Sequence, residues 1–425
     1  MRYVVLTISL LLYAVLVFVH QEREDFFTYF VVLSGLFALY FYSIKKAKLK
    51  AWHLLIVALL FRFVFIGFIP ILSDDIYRFI WDGILGIKGF NPYLYLPSIF
   101  EFGTIDGLFG KLNSPNYYSL YPPLKQYFFQ LGAFMGGGTI QGSIVSFRLI
   151  LIGAFLANFY LIKGICNELH YSNSRTIKAL TIYAFNPFLI IETIGSLHFE
   201  GLMFMFLLAA YYTYLRFNKV YLSAIFFAFS VSVKLLPLIF LPLIWRKLGF
   251  KKGLFFVGVT IVTNILLFIP FFQSELLSNI LNSLDLYFHK FEFNASFYFL
   301  LRELGQWLTG YNLIYYFGPM LAFISLALIL KVSFSSLRFV KASLLILLIY
   351  VSCTTTVHPW YIITLFGISL FTHFRFPVVW TYTVCLSYFA YSFSPVKENL
   401  WLLFIEYCLV FFAFYWEWKK GKALF

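Results

Sequence analysis

Apolar runs long enough to cross a hydrocarbon core of about 30 Å recur along the whole chain, separated by short charged punctuation. A run of that length must satisfy its own backbone hydrogen bonds inside lipid, which makes it a helix. The expected fold class is therefore all-α, a polytopic integral membrane bundle. The balance of residues agrees: 62% are hydrophobic and only 12% charged, with a mean hydropathy of +0.86. No soluble domain of ordinary size fits between the runs, so residues 1–425 are read as one membrane domain.

Full spans are expected near 3–20, 26–44, 51–72, 144–165, 176–194, 201–216, 253–271, 313–331, 339–357, 359–373, 376–393 and 399–416. Between the basic clusters Arg216/Lys219 and Arg246/Lys247/Lys251/Lys252 the chain must return to the side it left if both clusters share a side. Two short helices meeting near Ser232 to Pro237 would do this, with Lys234, Pro237 and Pro242 supplying the break.

The formal net charge of +14 is scattered as short clusters at span ends rather than gathered in one stripe, so it speaks for membrane orientation and not for nucleic acid. With the N-terminus inside, Arg2, Lys45, Lys46, Lys48, Lys50, Arg175, Lys178, Arg338, Lys341, Arg375, Lys419, Lys420, Lys422 and the two clusters fall on the cytoplasmic side, as the positive-inside rule asks. Of the acidic residues only Glu168 and Glu417 join them. The first apolar run lacks a small-residue cleavage site and is followed at once by another, so it is read as a retained anchor. The four cysteines, Cys166, Cys353, Cys385 and Cys408, lie in spans or at their inner ends, and no disulfide framework is expected.

Two exterior loops are long enough to hold chemistry, 73–142 and 272–312. The first opens on adjacent carboxylates, Asp74 and Asp75, at the boundary of an apolar run. Acids there are costly to hold unless water or a cation reaches them, which marks a site. Ile76, Phe79, Ile80, Gly83, Ile84 and Ile87 then recur at helical spacing, as in an amphipathic helix along the interface. Arg78 and Asp82 stand four apart and can pair. Asn91-Pro92-Tyr93 and Tyr121-Pro122-Pro123 punctuate turns. In the second loop another interfacial helix is expected, followed by a turn at Asn294-Ala295-Ser296, which also fits the glycosylation pattern but reads as a turn.

These blocks carry a resemblance. Ser73-Asp74-Asp75-Ile76-Tyr77-Arg78, Trp81-Asp82-Gly83, Gly89-Phe90-Asn91-Pro92-Tyr93, Tyr121-Pro122-Pro123, Asn186-Pro187, His198-Phe199-Glu200 and His358-Pro359-Trp360-Tyr361 together resemble the signature blocks of bacterial polyprenol-phosphate-dependent glycosyltransferases of the C superfamily, in their mannosyltransferase-like branch. The resemblance runs from about residue 70 to 361, and the first block is its most specific part. It implies a helical enzyme of the bacterial plasma membrane that takes a hexose from a polyprenyl-phosphate-linked sugar on the outer, periplasmic face. The acceptor would be a glycan, lipid or protein, and an Asp in the first exterior loop would be the base.

Such a transfer needs a carboxylate for the acceptor hydroxyl and cations for the departing phosphate. Asp74 is the favoured base, with Asp75 as helix cap or acceptor-positioning group. Arg78, His358, His289, Lys290 and Lys234 are the phosphate candidates. Trp81, Asp82, Asn91, Tyr93, Tyr121, His198, Glu200, Trp360 and Tyr361 complete the expected substrate-binding set. Several of these residues also have plain readings as interfacial anchors, caps or solvated loop groups. Glu192 and Glu406 are expected only to pair with nearby donors. The glycine run 136–138 has no strand before it and is not read as a phosphate loop. No cofactor is expected, and no metal ligand set stands beside the acidic pair. Competing classes are a lipid-linked oligosaccharide ligase or polymerase, a transporter or lipid flippase, and a non-catalytic envelope scaffold.

Overall fold

Helix follows helix from the first apolar run to the last; among the described residues the one strand-like pairing is an isolated parallel bridge between Phe293 and Thr356. The computed structural model describes residues 2–424 apart from Gln21, Ala47, Lys48 and 101–106, and the side chains of Arg2, Tyr3, Lys46 and 284–290 lie outside the described set as well. Of the expected site residues, His289 and Lys290 therefore lie outside the described side chains, as do Arg2, Lys46 and Lys48 of the orientation argument. The chain packs as two compact units, Met1–Leu236 with Gly258–Leu284, and Pro237–Val257 with Asp285–Phe425. Among the described residues 5 helices are long and apolar enough to cross a bilayer, or 6 if the pair Asn173–Phe185 and Pro187–Gly195, bent by 51°, is one broken span rather than a re-entrant loop. The protein is an integral membrane protein.

The first unit begins with α1 (Arg2–Phe18), α2 (Phe26–Lys46) and α3 (Ala51–Phe63). The third run was expected to stay helical to about residue 72, but α3 ends at Phe63. Gly67 and Pro70 follow, neither of which continues a helix readily. The chain thus reaches the acidic pair in irregular conformation.

α4 (Asp75–Ile87) realises the expected helical spacing, and Ile76, Phe79, Ile80, Trp81, Ile84 and Leu85 are all buried. It packs on α5 (Pro123–Met135), which starts where Pro123 occupies the first turn, a position that needs no N–H. The glycine run closes α5. Gly137 and Gly138 adopt left-handed φ of +63° and +70°, and a Cβ on Gly136 would meet the carbonyl carbon of Gly142 at 2.3 Å. Only glycine permits this turn. Thr139 then caps α6 (Ile140–Glu168), its hydroxyl accepting from the Gly142 N–H.

α7 (Asn173–Phe185) breaks at Asn186-Pro187. The Asn186 side chain caps α8 (Pro187–Ile190), a π turn follows over Ile191–Gly195, and α9 (Glu200–Phe217) and α10 (Val220–Val233) form the next pair. A break inside a span frees carbonyls that lipid cannot satisfy. Buried Arg148 on α6 takes two of them, donating to Ile194 O at 2.9 Å and Gly195 O at 3.3 Å, and also donates to Ile66 O at 3.1 Å, past the end of α3. Buried Arg62 donates to Ala184 O at 3.0 Å, just before the Asn186 break. These two arginines hold the irregular segments that carry the site.

α10 ends at Lys234 in extended conformation, a 3-10 turn covers Leu236–Phe240, and α11 (Leu241–Leu248) follows, as the two-short-helix reading expected. The chain continues through α12 (Phe250–Phe268), α13 (Leu276–Lys290), α14 (Phe297–Thr309), α15 (Ile314–Ser333), α16 (Phe339–Cys353), α17 (Ile362–Ser369), α18 (Phe376–Thr383) and α19 (Leu400–Lys420). Within the second unit, buried Glu417 accepts from the backbone N–H groups of Arg375 and Phe376 at the start of α18. Glu406 accepts from Trp380 Nε1 at 2.8 Å and from Asn294 Nδ2 at 3.3 Å.

Candidate active site

The acidic pair stands at the head of α4, and its two members differ. Asp74 holds the N-cap position, without a side-chain capping bond. Its carboxylate instead meets Arg23, between α1 and α2, at 2.6 Å, with both side chains partly exposed. Asp75, the first helical residue, accepts from Asn113 Nδ2 at 2.9 Å through Oδ1. Among the described residues its Oδ2 takes no hydrogen bond. The N-cap position thus falls on Asp74 rather than on Asp75, because the helix starts one residue earlier than a cap at Asp75 would place it.

Arg78 and Asp82 form the expected pair and are buried, at 2.8 Å. Arg78 Nη1 also donates to the carbonyls of Ser114 (2.8 Å) and Tyr117 (2.9 Å). Asp82 accepts from Ser119 at 2.6 Å and from Gln126 at 2.9 Å. One ion pair therefore ties α4, the 114–119 loop and α5 together. Arg78 Nη2 remains buried with no hydrogen-bond partner among the described residues. Trp81 is buried too, its Nε1 likewise without an acceptor among them.

Asn91 and Tyr93 anchor the loop from the other end. Asn91 donates to Phe271 O at 2.8 Å and accepts from the Tyr93 N–H, and the Tyr93 hydroxyl donates to Tyr121 O. Tyr93 packs with Phe271 and Leu276.

The residue that sequence reasoning passed over is Lys125, on the first turn of α5. It is 6% exposed, and its Nζ lies 4.4 Å from the ring centroid of Tyr121, 4.6 Å from Phe79, and 5.6 Å from both Phe129 and Phe199. These rings pack edge-to-face and stacked on one another, Phe79 and Phe129 at 4.7 Å. Burial among them pushes the Lys125 ammonium down to about 8, while the carboxylates of Glu200, Asp75 and Asp82 pull it up and Lys234 pushes it further down. The Tyr121 phenol is driven well above its usual range, first by burial and then by Asp75. Only the sequence neighbourhood, a lysine two residues beyond Tyr121-Pro122-Pro123, hinted at this placement.

Glu200 and His198 were weighed as solvated loop groups, yet both are buried. Glu200 Oε1 meets Lys234 Nζ at 2.5 Å, and His198 Nδ1 lies 3.0 Å from Glu192 Oε2. The break after α10 thus brings Lys234 to the start of α9. Asp75, Asp82, Glu200 and Lys234 are all close enough for their charges to act on Lys125. Among the described residues no three His, Cys, Asp or Glu side chains group as metal ligands.

His358, Trp360 and Tyr361 belong to the second unit. His358 stacks on Trp360 at 4.5 Å and 7°, and on Phe293 at 5.3 Å on a 27° plane, with Tyr361 edge-on. The stack rests on the parallel bridge, in which Phe293 N–H donates to Thr355 O and Val357 N–H to Phe293 O.

A helical bundle of membrane spans that buries carboxylates and ammoniums in an aromatic-walled cluster belongs to the class of integral membrane enzymes. Residues 8–247 match the family described as alpha-(1->6)-mannopyranosyltransferase, N-terminal domain, and the chain belongs to that family. The matched region takes in the acidic pair, Lys125, His198, Glu200 and Lys234, and ends before the aromatic stack. No curated protein matches the chain. The protein is accordingly a glycosyltransferase of a mannosyltransferase family, as the motif blocks implied.

Proposed function

We propose that this protein transfers a hexose, mannose by its family, from a polyprenyl-phosphate donor to a glycan, lipid or protein acceptor on the exterior face of the bacterial plasma membrane, with Asp75 as the base. The observation that carries this reading is the position of Asp75: its Oδ2 is outside any hydrogen bond among the described residues, and its charge acts on Lys125 and Tyr121. Asp74 is occupied by Arg23, which favours Asp75 of the two.

In this reading Asp75 takes the proton of the acceptor hydroxyl, the acceptor oxygen bonds to the anomeric carbon, and the bond from that carbon to the phosphate oxygen breaks. The polyprenyl phosphate leaves as a monoester with one more negative charge, and Asp75 releases its proton to water. A single displacement inverts the anomeric centre, so an alpha product requires a β-linked donor. Arg78 and Asp82 position α4 and α5, and Asn91 and Tyr93 hold the loop; Glu200 with Lys234 forms the polar floor. His198 is held by Glu192 against that floor. The stack of His358, Trp360 and Tyr361 offers aromatic faces of the kind that bind sugar rings.

The test is transfer by purified protein in lipid vesicles, supplied with radiolabelled decaprenyl-phosphate hexoses and candidate acceptors. Asp75→Asn loses about 100-fold or more of the rate, the share a positioned base supplies, while Asp74→Asn keeps most of it. Full transfer by Asp75→Asn removes the proposed base, and no transfer by wild type from any polyprenyl-phosphate sugar removes the proposed donor.

A further inference from the structure

A buried lysine inside an aromatic box is an unusual expenditure unless something uses its charge. The four ring faces around Lys125 attract the cation through their quadrupoles, but they engage none of its three N–H donors in hydrogen bonds to oxygen. The acid whose charge acts most strongly on it, Glu200, has Oε1 committed to Lys234 at 2.5 Å. Among the described residues no hydrogen bond or ion pair engages Lys125 Nζ. An ammonium held with unspent donors, next to partly exposed Lys234 and Asp75, is a receptor waiting for an anion.

Arg78, the cation expected to meet the phosphate, gives Nε to Asp82 and Nη1 to two loop carbonyls, which ties down the loop, and only its buried Nη2 is left without a partner among the described residues. Lys125 stands instead one helix over from Asp75, near enough that the two charges interact. A base and an anion receptor in that relation suit the two ends of a displacement, one where the proton leaves and one where negative charge grows.

We propose that Lys125 is the group that receives the phosphate of the lipid-linked donor and stabilises it as the sugar leaves. This rests on the reading of the protein as a polyprenyl-phosphate-dependent transferase. The phosphodiester arrives with one negative charge and departs as a monoester with up to two, so an ammonium in the box binds the departing form more tightly than the arriving one. The aromatic walls, which cannot be protonated or displaced by water, keep the charge of Lys125 aimed at that oxygen.

The experiment measures equilibrium binding of radiolabelled decaprenyl phosphate to the full protein in vesicles, with uncharged decaprenol as the control for the lipid chain. Lys125→Met weakens decaprenyl phosphate about 10- to 100-fold, the loss expected for a hydrogen bond to a charged group, and leaves decaprenol binding unchanged. Lys125→Arg restores most of the affinity. A second measurement covers a Met variant that fails to fold. Raising the pH from about 7 to about 9.5 discharges Lys125, so wild type loses roughly tenfold in affinity for decaprenyl phosphate, while Lys125→Arg stays level. The other charged groups facing Lys125 are Glu200, Lys234, Asp75 and Asp82, with the Tyr121 phenol in the wall; all five are present in both proteins, so the comparison isolates Lys125.

Equal binding of decaprenyl phosphate by wild type and Lys125→Met overturns the inference, as does a wild-type pH profile no steeper than that of Lys125→Arg. Either result leaves the transferase reading standing. Failure of wild type to bind decaprenyl phosphate at all, at any pH, removes the donor reading and this inference with it.

Discussion

Gly83→Ala tests how α4 and α5 are held together, and through them the site. An ideal Cβ on Gly83 falls 2.4 Å from the carbonyl oxygen of Phe129 and 2.8 Å from its carbonyl carbon, with Ala133 Cβ at 3.1 Å. The obstacle is backbone, which no rotamer change relieves. To restore an ordinary contact the two helices must part by about 1 Å, given optimal carbon separations of roughly 3.5 Å. Overpacking of this kind costs about 1–3 kcal/mol. Alanine recovers about 0.5–1 kcal/mol of that through its better helix propensity, leaving a net loss of up to about 2.5 kcal/mol. The site moves with it, because Phe129 stacks on Phe79 at 4.7 Å and both rings wall in Lys125. A displacement near 1 Å at reacting groups costs up to about 100-fold in rate. Thermal denaturation in detergent and transfer in vesicles are compared with Gly153→Ala, an exposed glycine on α6 whose Cβ would meet nothing within 4 Å. Gly83→Ala lowers both the midpoint and the rate, and the control lowers neither. If the two variants are indistinguishable, the close α4–α5 approach is not what builds the site.

Burial lifts the Glu398 carboxyl, before α19, from 4.5 to about 7, against the opposing pull of the Asn294 N–H. Between those values the unfolded chain sheds its proton while the native state keeps it, so stability falls as pH rises from about 4.5 to about 7 and the loss is complete above that. Glu398→Gln makes this slope shallower, giving a denaturation midpoint above that of wild type at pH 8; an unchanged slope would show that Glu398 does not contribute to it. Ser98→Cys, in the first loop, reacts with a membrane-impermeant thiol reagent added from outside to intact cells. Labelling only after the membrane is opened would reverse the assigned orientation.

What could be read from the chain alone is what depends on near neighbours. Spans follow from averaged hydropathy, α4 from the spacing of Ile76 to Ile87, the start of α5 from Pro122-Pro123, and the membrane class from all of these together. The Arg78–Asp82 pair was legible because four residues make one helical turn. Family membership was legible too, since it rests on ordered short blocks. Packing decided the rest. Arg148 reaches carbonyls 46 and 82 positions away, and Lys234 meets Glu200 across 34; hydropathy windows see neither. Lys125 reads in sequence as one more basic residue in a loop, and it became a buried ammonium only when α4, α5 and the turn before α9 closed four aromatic rings around it. Burial converts a charge from a solvated ornament into a directed force, and burial is a property of neighbours that only the folded chain assembles.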